Sequence, residues 1–121
     1  MHEIPADLDL AFLVGSEVVQ VCLGSFDVQV HFQPEASIHI TGGDWELKDQ
    51  SGRIIDRALD APAHEGGPFL LHRLLGRRVR TVEVHPPDWL EVIFEDGLAL
   101  RIIDDSEQFE SFEIQPLGLT V

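Results

Sequence analysis

Apolar and polar residues alternate with a period of two along much of the chain, the pattern of strands buried on one face. Val28, Val30 and Phe32 enclose Gln29 and His31, and Ile38 and Ile40 enclose His39. Leu90, Val92 and Phe94 repeat the pattern around Glu91, as do Leu100 and Ile102 around Arg101. Between these last two runs, Glu95-Asp96-Gly97 reads as a three-residue hairpin loop with Gly97 in the left-handed position. That loop pairs Phe94 with Leu98, Val92 with Leu100 and Leu90 with Ile102 on one face, and sets Glu91 opposite Arg101 on the other. Gln33-Pro34-Glu35 fills the corresponding loop earlier in the chain, pairing Phe32 with Ala36 and Val30 with Ile38. Further strands are expected at residues 44–48 and 109–114.

The two regions are copies of one unit. Leu13, Gly15, Val18 and Val21 recur as Leu74, Gly76, Val79 and Val82 at a constant offset of 61 residues. After one inserted residue the match continues at an offset of 62, from Val30 to Val92 and from Ile38 to Leu100. Residues 67–76, with Pro68 near the start and Gly76 past the end, suggest a short helix before the second copy, and residues 7–14 before Gly15 a weaker one before the first. The expected fold is mainly β, α+β at the margin. It is a single domain of two antiparallel meanders, residues 8–48 and 69–115, each preceded by a short helix and joined by a loop at residues 49–68. A three-stranded meander leaves an apolar face wet, so the halves are expected to close on each other as a sandwich or partly open barrel.

Length and composition narrow the functional classes. The 121 residues fit one domain, and 44% hydrophobic residues suffice for a packed core. No apolar run approaches the roughly 20 residues of a membrane span. The start of the chain lacks the basic and apolar regions of a secretory signal, and Cys22 is the sole cysteine, expected to be a small buried hydrophobe. A cytoplasmic location is the expectation. Asp and Glu total 22 against 8 Lys and Arg, a formal charge of −14 that repels nucleic acid and favours basic partners.

Candidate chemistry is sparse. His85-Pro86-Pro87-Asp88-Trp89 puts a base, an acid and an aromatic wall within five residues at a turn, the best place for a small-ligand site. No nucleophile motif accompanies it, so no catalytic residue is assigned. His31 and His39 are diagonal neighbours on an outer face, without the companions of a metal centre, and neither metal nor cofactor is expected. The acidic stretch 104–113 lacks the spacing of a calcium loop. Its Asp104, Asp105, Glu107 and Glu110, interleaved with Phe109 and Phe112, suit a surface that binds a basic protein. Arg73, Arg77, Arg78 and Arg80 form the one basic cluster, free to take an anion or to pair with the chain's own carboxylates.

The opening L-x-G-x-x-V-x-x-V pattern, the F-x-D-G hairpin at residues 94–97 and the closing F-E-S-F-E-I at 109–114 resemble small uncharacterised bacterial β-rich proteins of the immunity-protein-like kind. The resemblance spans about residues 10–115 and implies an intracellular protein-binding role without catalytic residues. The leading expectation is therefore an acidic, cytoplasmic protein-binding module, immunity- or antitoxin-like in kind. A small-ligand-binding domain or enzyme with a site near His85, Asp88 and Trp89 is the alternative, and a homodimer through an edge strand such as 109–114 is a third reading.

Overall fold

A computed structural model describes residue 4 and residues 7–41, 44–58, 70–104 and 112–115, with the backbone of 119–120. The strands are β1 (Glu17–Leu23), β2 (Val28–Gln33), β3 (Ala36–Ile40), β4 (Asp44–Lys48), β5 (Ile54–Arg57), β6 (Val79–His85), β7 (Trp89–Phe94), β8 (Ala99–Ile103), β9 (Phe112–Gln115) and β10 (Leu119–Thr120). They form two antiparallel sheets, A in the order β1-β2-β3-β9-β10 and B in the order β5-β4-β8-β7-β6.

Both hairpin registers follow from their loops. Val30 faces Ile38 and Phe32 faces Ala36, while Leu90 faces Ile102, Val92 faces Leu100 and Glu91 faces Arg101. Gly97 sits at φ 95°, and the Phe94 N–H donates to the Leu98 carbonyl at 2.8 Å. The inward side chains of both sheets join in one buried cluster containing Val30, Phe32, Ile38, Leu90, Val92, Phe94 and Leu100. This is a sandwich-like arrangement of two sheets rather than a closed barrel.

The halves are more entwined than two facing meanders. Each gives three strands to one sheet and its fourth to the other: β4 pairs with β8, and β9 pairs with β3. The exchange extends each meander along its open edge and ties both layers into one core. The halves also meet at a corner in a reciprocal set of bonds. Gly15 N–H donates to Val79 O and Gly76 N–H to Val18 O, both at 2.8 Å, while Val18 N–H donates to Arg77 O and Val79 N–H to Ser16 O, both at 2.9 Å. Glu17 and Arg78, which the 61-residue offset aligns, form an antiparallel bridge between the halves.

Four expectations are corrected. Each short helix is a 3-10 turn, at Ala11–Leu13 and Leu71–Leu74. Leu10 with Leu13, and Leu71 with Leu74, are spaced three apart, so a single 3-10 turn brings each pair to one side. All four are buried, and Gly15 and Gly76 with positive φ then end the turns. Pro68 lies outside the described residues. The expected loop 49–68 contains β5, which pairs with β4 after an Asp49 turn. There the Ser51 hydroxyl (2.6 Å), and after it the N–H groups of Arg53 and Ser51, hold the Asp49 carboxyl below its ordinary value of 3.8. The strand expected at 109–114 is described only as β9 from Phe112, and β9 is not an edge, because it lies between β3 and β10. Cys22 is half-buried on β1 rather than fully buried.

Two glycines test how closely the turns are specified. A Cβ at Gly97 would stand 2.5 Å from Gln50 Cβ, at φ +95°, whereas one at Gly15 (φ +85°) would meet nothing within 4 Å. Gly97→Ala is expected to cost about 2 kcal/mol or more and Gly15→Ala about 1 kcal/mol, compared by urea denaturation. Equal costs would mean that the Gln50 contact relaxes freely.

Candidate functional site

The outer faces of the sheets differ in chemistry although their inner faces match. On sheet B, Trp89 opens β7 and its ring stacks on His85, the residue opposite it on β6, with centroids 3.8 Å apart and planes 23° from parallel. The Arg101 guanidinium carbon lies 3.6 Å from the Trp89 ring centroid, a cation–π contact. Arg101 Nε also lies 3.4 Å from Glu91 Oε1, and Lys48 Nζ reaches the same oxygen at 3.3 Å. Glu91 is thus buried to 8% exposure on an outward face, roofed by its neighbours' long side chains.

Of the three residues expected to share a site here, His85 and Trp89 meet and Asp88 serves mainly as turn backbone. Asp88 N–H donates to His85 O at 3.0 Å, and Asp88 O accepts from Asp104 N–H at 2.8 Å. The carboxylate near His85 is Glu83, at 3.9 Å. The Asp104 bond ties the start of the acidic stretch to this turn. Asp105, Glu107, Phe109 and Glu110 lie outside the described residues. Phe112 is corrected: it is buried in β9, sharing the inner face with Ile114 two residues on, and cannot anchor a partner. Lys48, Glu91 and Arg101 were not singled out as site residues. The Glu91–Arg101 cross-strand pair was the available signal, since Trp89 lies two positions before Glu91 on the same face.

Sheet A presents Gln20, Cys22, Gln29, His31, Ser37 and His39 outward. His39 Nε2 lies 2.7 Å from Asp27 Oδ2, and His31 Nε2 lies 3.0 Å from Gln29 Oε1, so the two imidazoles have separate partners. Among the described residues no group of three or more His, Cys, Asp or Glu is placed to hold a metal. A shallow concavity of about 370 Å³ is lined by His31, Phe32, Glu35, Ala36, Ser37 and Gln115.

No strand of sheet A contains Lys or Arg. All eight basic residues of the chain lie on the strands of sheet B or in the turns leading into them. Two of the clustered arginines are turned to the chain's own carboxylates, Arg77 to Asp96 at 3.2 Å and Arg78 to Glu17 at 4.0 Å. Among the described residues no helix is long and apolar enough to cross a membrane. No family model, curated protein or solved structure matches the chain.

Proposed function

We propose that this chain is an acidic protein-binding module acting in the cytoplasm, with a basic protein as its partner, in the manner of an immunity or antitoxin protein. The observation that carries the reading is the cation-free sheet A. On a chain of net charge −14, Asp27, Glu35 and Glu113 stand on or beside that sheet with no Lys or Arg on any of its strands. A one-signed face of this kind steers a complementary partner and raises its association rate. The small-ligand reading at His85, Asp88 and Trp89 has less support, because Trp89 is already stacked against His85 and Arg101.

The test is affinity capture from host extract, followed by titration of each captured protein, remade pure, against the intact chain. The partner is expected to carry net positive charge, and its affinity to fall about ten-fold or more between about 50 and 300 mM salt. The triple variant Asp27→Asn, Glu35→Gln, Glu113→Gln should bind more weakly and lose part of that salt dependence. An acidic partner, or an affinity indifferent to salt and to the triple variant, overturns the reading.

A further inference from the structure

We propose that the free edge of β1 is the docking strand for that partner, taking an extended segment of it as a further strand of sheet A. The inference rests on the basic-partner reading above and names its site.

The argument begins with the edges. β1 closes one side of sheet A and β6 the corresponding side of sheet B. They are twin strands of the repeat, and both carry the same irregularity, at Val18/Gln20 and at Val79/Thr81. That bulge therefore belongs to the scaffold and does not distinguish them. Their exposed chemistry does. An unpaired strand edge is a template for another chain, and charged side chains are a common guard against it. β6 has Arg80 and Glu83 where β1 has Val19 and Cys22. From Val18 to Leu23, β1 carries no charge at all.

Apolar surface follows the same edge. Val19 and Leu23 are each 47% exposed, and Phe26, in the turn that follows, is 73% exposed. The backbone of the second copy occupies the edge only as far as Val18, through Gly76 and Arg77. Among the described residues no strand pairs with β1 on that side beyond this point. Strand addition suits such a site: main-chain hydrogen bonds supply affinity and exposed side chains supply selectivity.

Charge selects the occupant. Asp27 stands at one end of β1; at the other, Glu17 already faces Arg78, and Glu35 in the β2–β3 turn adds a carboxylate on that side. The matching segment is extended, apolar at alternate positions, and flanked by Lys or Arg. A second copy of β1 would instead bring Asp27 and Glu35 again.

The probe is a displayed library of random peptides about twelve residues long, selected on the intact chain. The best binder is then synthesised and followed by amide NMR and hydrogen exchange. Enriched peptides should carry Lys or Arg around alternating apolar residues, and the amides of residues 19–23 should shift and gain protection. Val19→Lys with Leu23→Lys should weaken binding about ten-fold or more with an unchanged melting curve, while Arg80→Val on β6 should leave it within about two-fold. Basic peptides that bind away from β1 overturn the strand-docking inference and leave the basic-partner reading standing. Peptides on β1 that lack Lys and Arg overturn the basic-partner reading and the occupant proposed here. A library without binders, or a chain whose mass doubles with concentration as β1 becomes protected, overturns the inference.

Discussion

Phe94→Ala is expected to remove about 4 kcal/mol of folding stability, and its twin Phe32→Ala nearly as much. Both rings are buried on inner faces, opposite Val79 and Val18 at the corner where the halves exchange backbone bonds. Truncation removes the apolar transfer energy of the ring and leaves a cavity between layers that the exchanged strands hold in place. Against a usual domain stability of about 5–15 kcal/mol, either change brings the chain close to unfolding at ambient temperature. Urea denaturation followed by far-ultraviolet dichroism and by tryptophan fluorescence checks this. Trp45 and Trp89 both belong to sheet B, although they come from different halves. The expected result is one transition seen alike by both probes, shifted in midpoint with an unchanged slope. A Phe94→Ala chain in which fluorescence changes well before dichroism would mean that the sheets unfold separately, contrary to a core shared through exchanged strands.

That shared core was partly legible in the sequence. A turn with one left-handed glycine fixes a hairpin's register, and register fixes which side chains share a face, so Glu91 opposite Arg101 followed from Glu95-Asp96-Gly97 alone. The aligned apolar positions of the two halves, such as Val30 with Val92 and Ile38 with Leu100, were legible because each pair is buried. The exchange of β4 and β9 was not. A period of two reports which face of a strand is buried but not which sheet the strand joins, and Trp45 and Leu47 bury equally well against either. β5 was hidden because Ile54-Ile55-Asp56-Arg57 does not alternate. Phe112 follows the same rule: within F-E-S-F-E-I the charges suit a surface, yet Phe112 and Ile114 carry the period of two that marks a buried face. The stack of Trp89 on His85 was within reach because a tight turn joins the two residues. Arg101 over Trp89 required the diagonal across two strands. The absence of Lys and Arg before Lys48 is plain in the sequence, yet it becomes a face only once β9 and β10 from the far end of the chain complete sheet A.

Glu91→Ala is expected to cost about 3 kcal/mol, the low end of the range for breaking a buried ion pair. Its carboxylate is the common partner of Lys48 and Arg101; the Glu91 side chain is 10% exposed, and theirs keep 18% and 24% of their surface. Glu91 Oε1 and Arg101 Nε lack a well-aligned hydrogen bond, so the attraction is chiefly between charges. Removing the carboxylate leaves two cations close together, each largely withdrawn from water, with Arg101 still held against Trp89. The cost should shrink in high salt, which screens the repulsion between these partly exposed cations. It should also shrink in the triple variant Lys48→Met, Glu91→Leu, Arg101→Met, which replaces the network with apolar side chains of similar size and is expected within about 1 kcal/mol of the parent. Chemical denaturation of the parent, single and triple variants at low and high salt checks both statements. A single variant within about 0.5 kcal/mol of the parent would mean that water reaches the cations as readily as Glu91 does. A triple variant as unstable as the single one would place the penalty in lost packing under Trp89 rather than in unpaired charge.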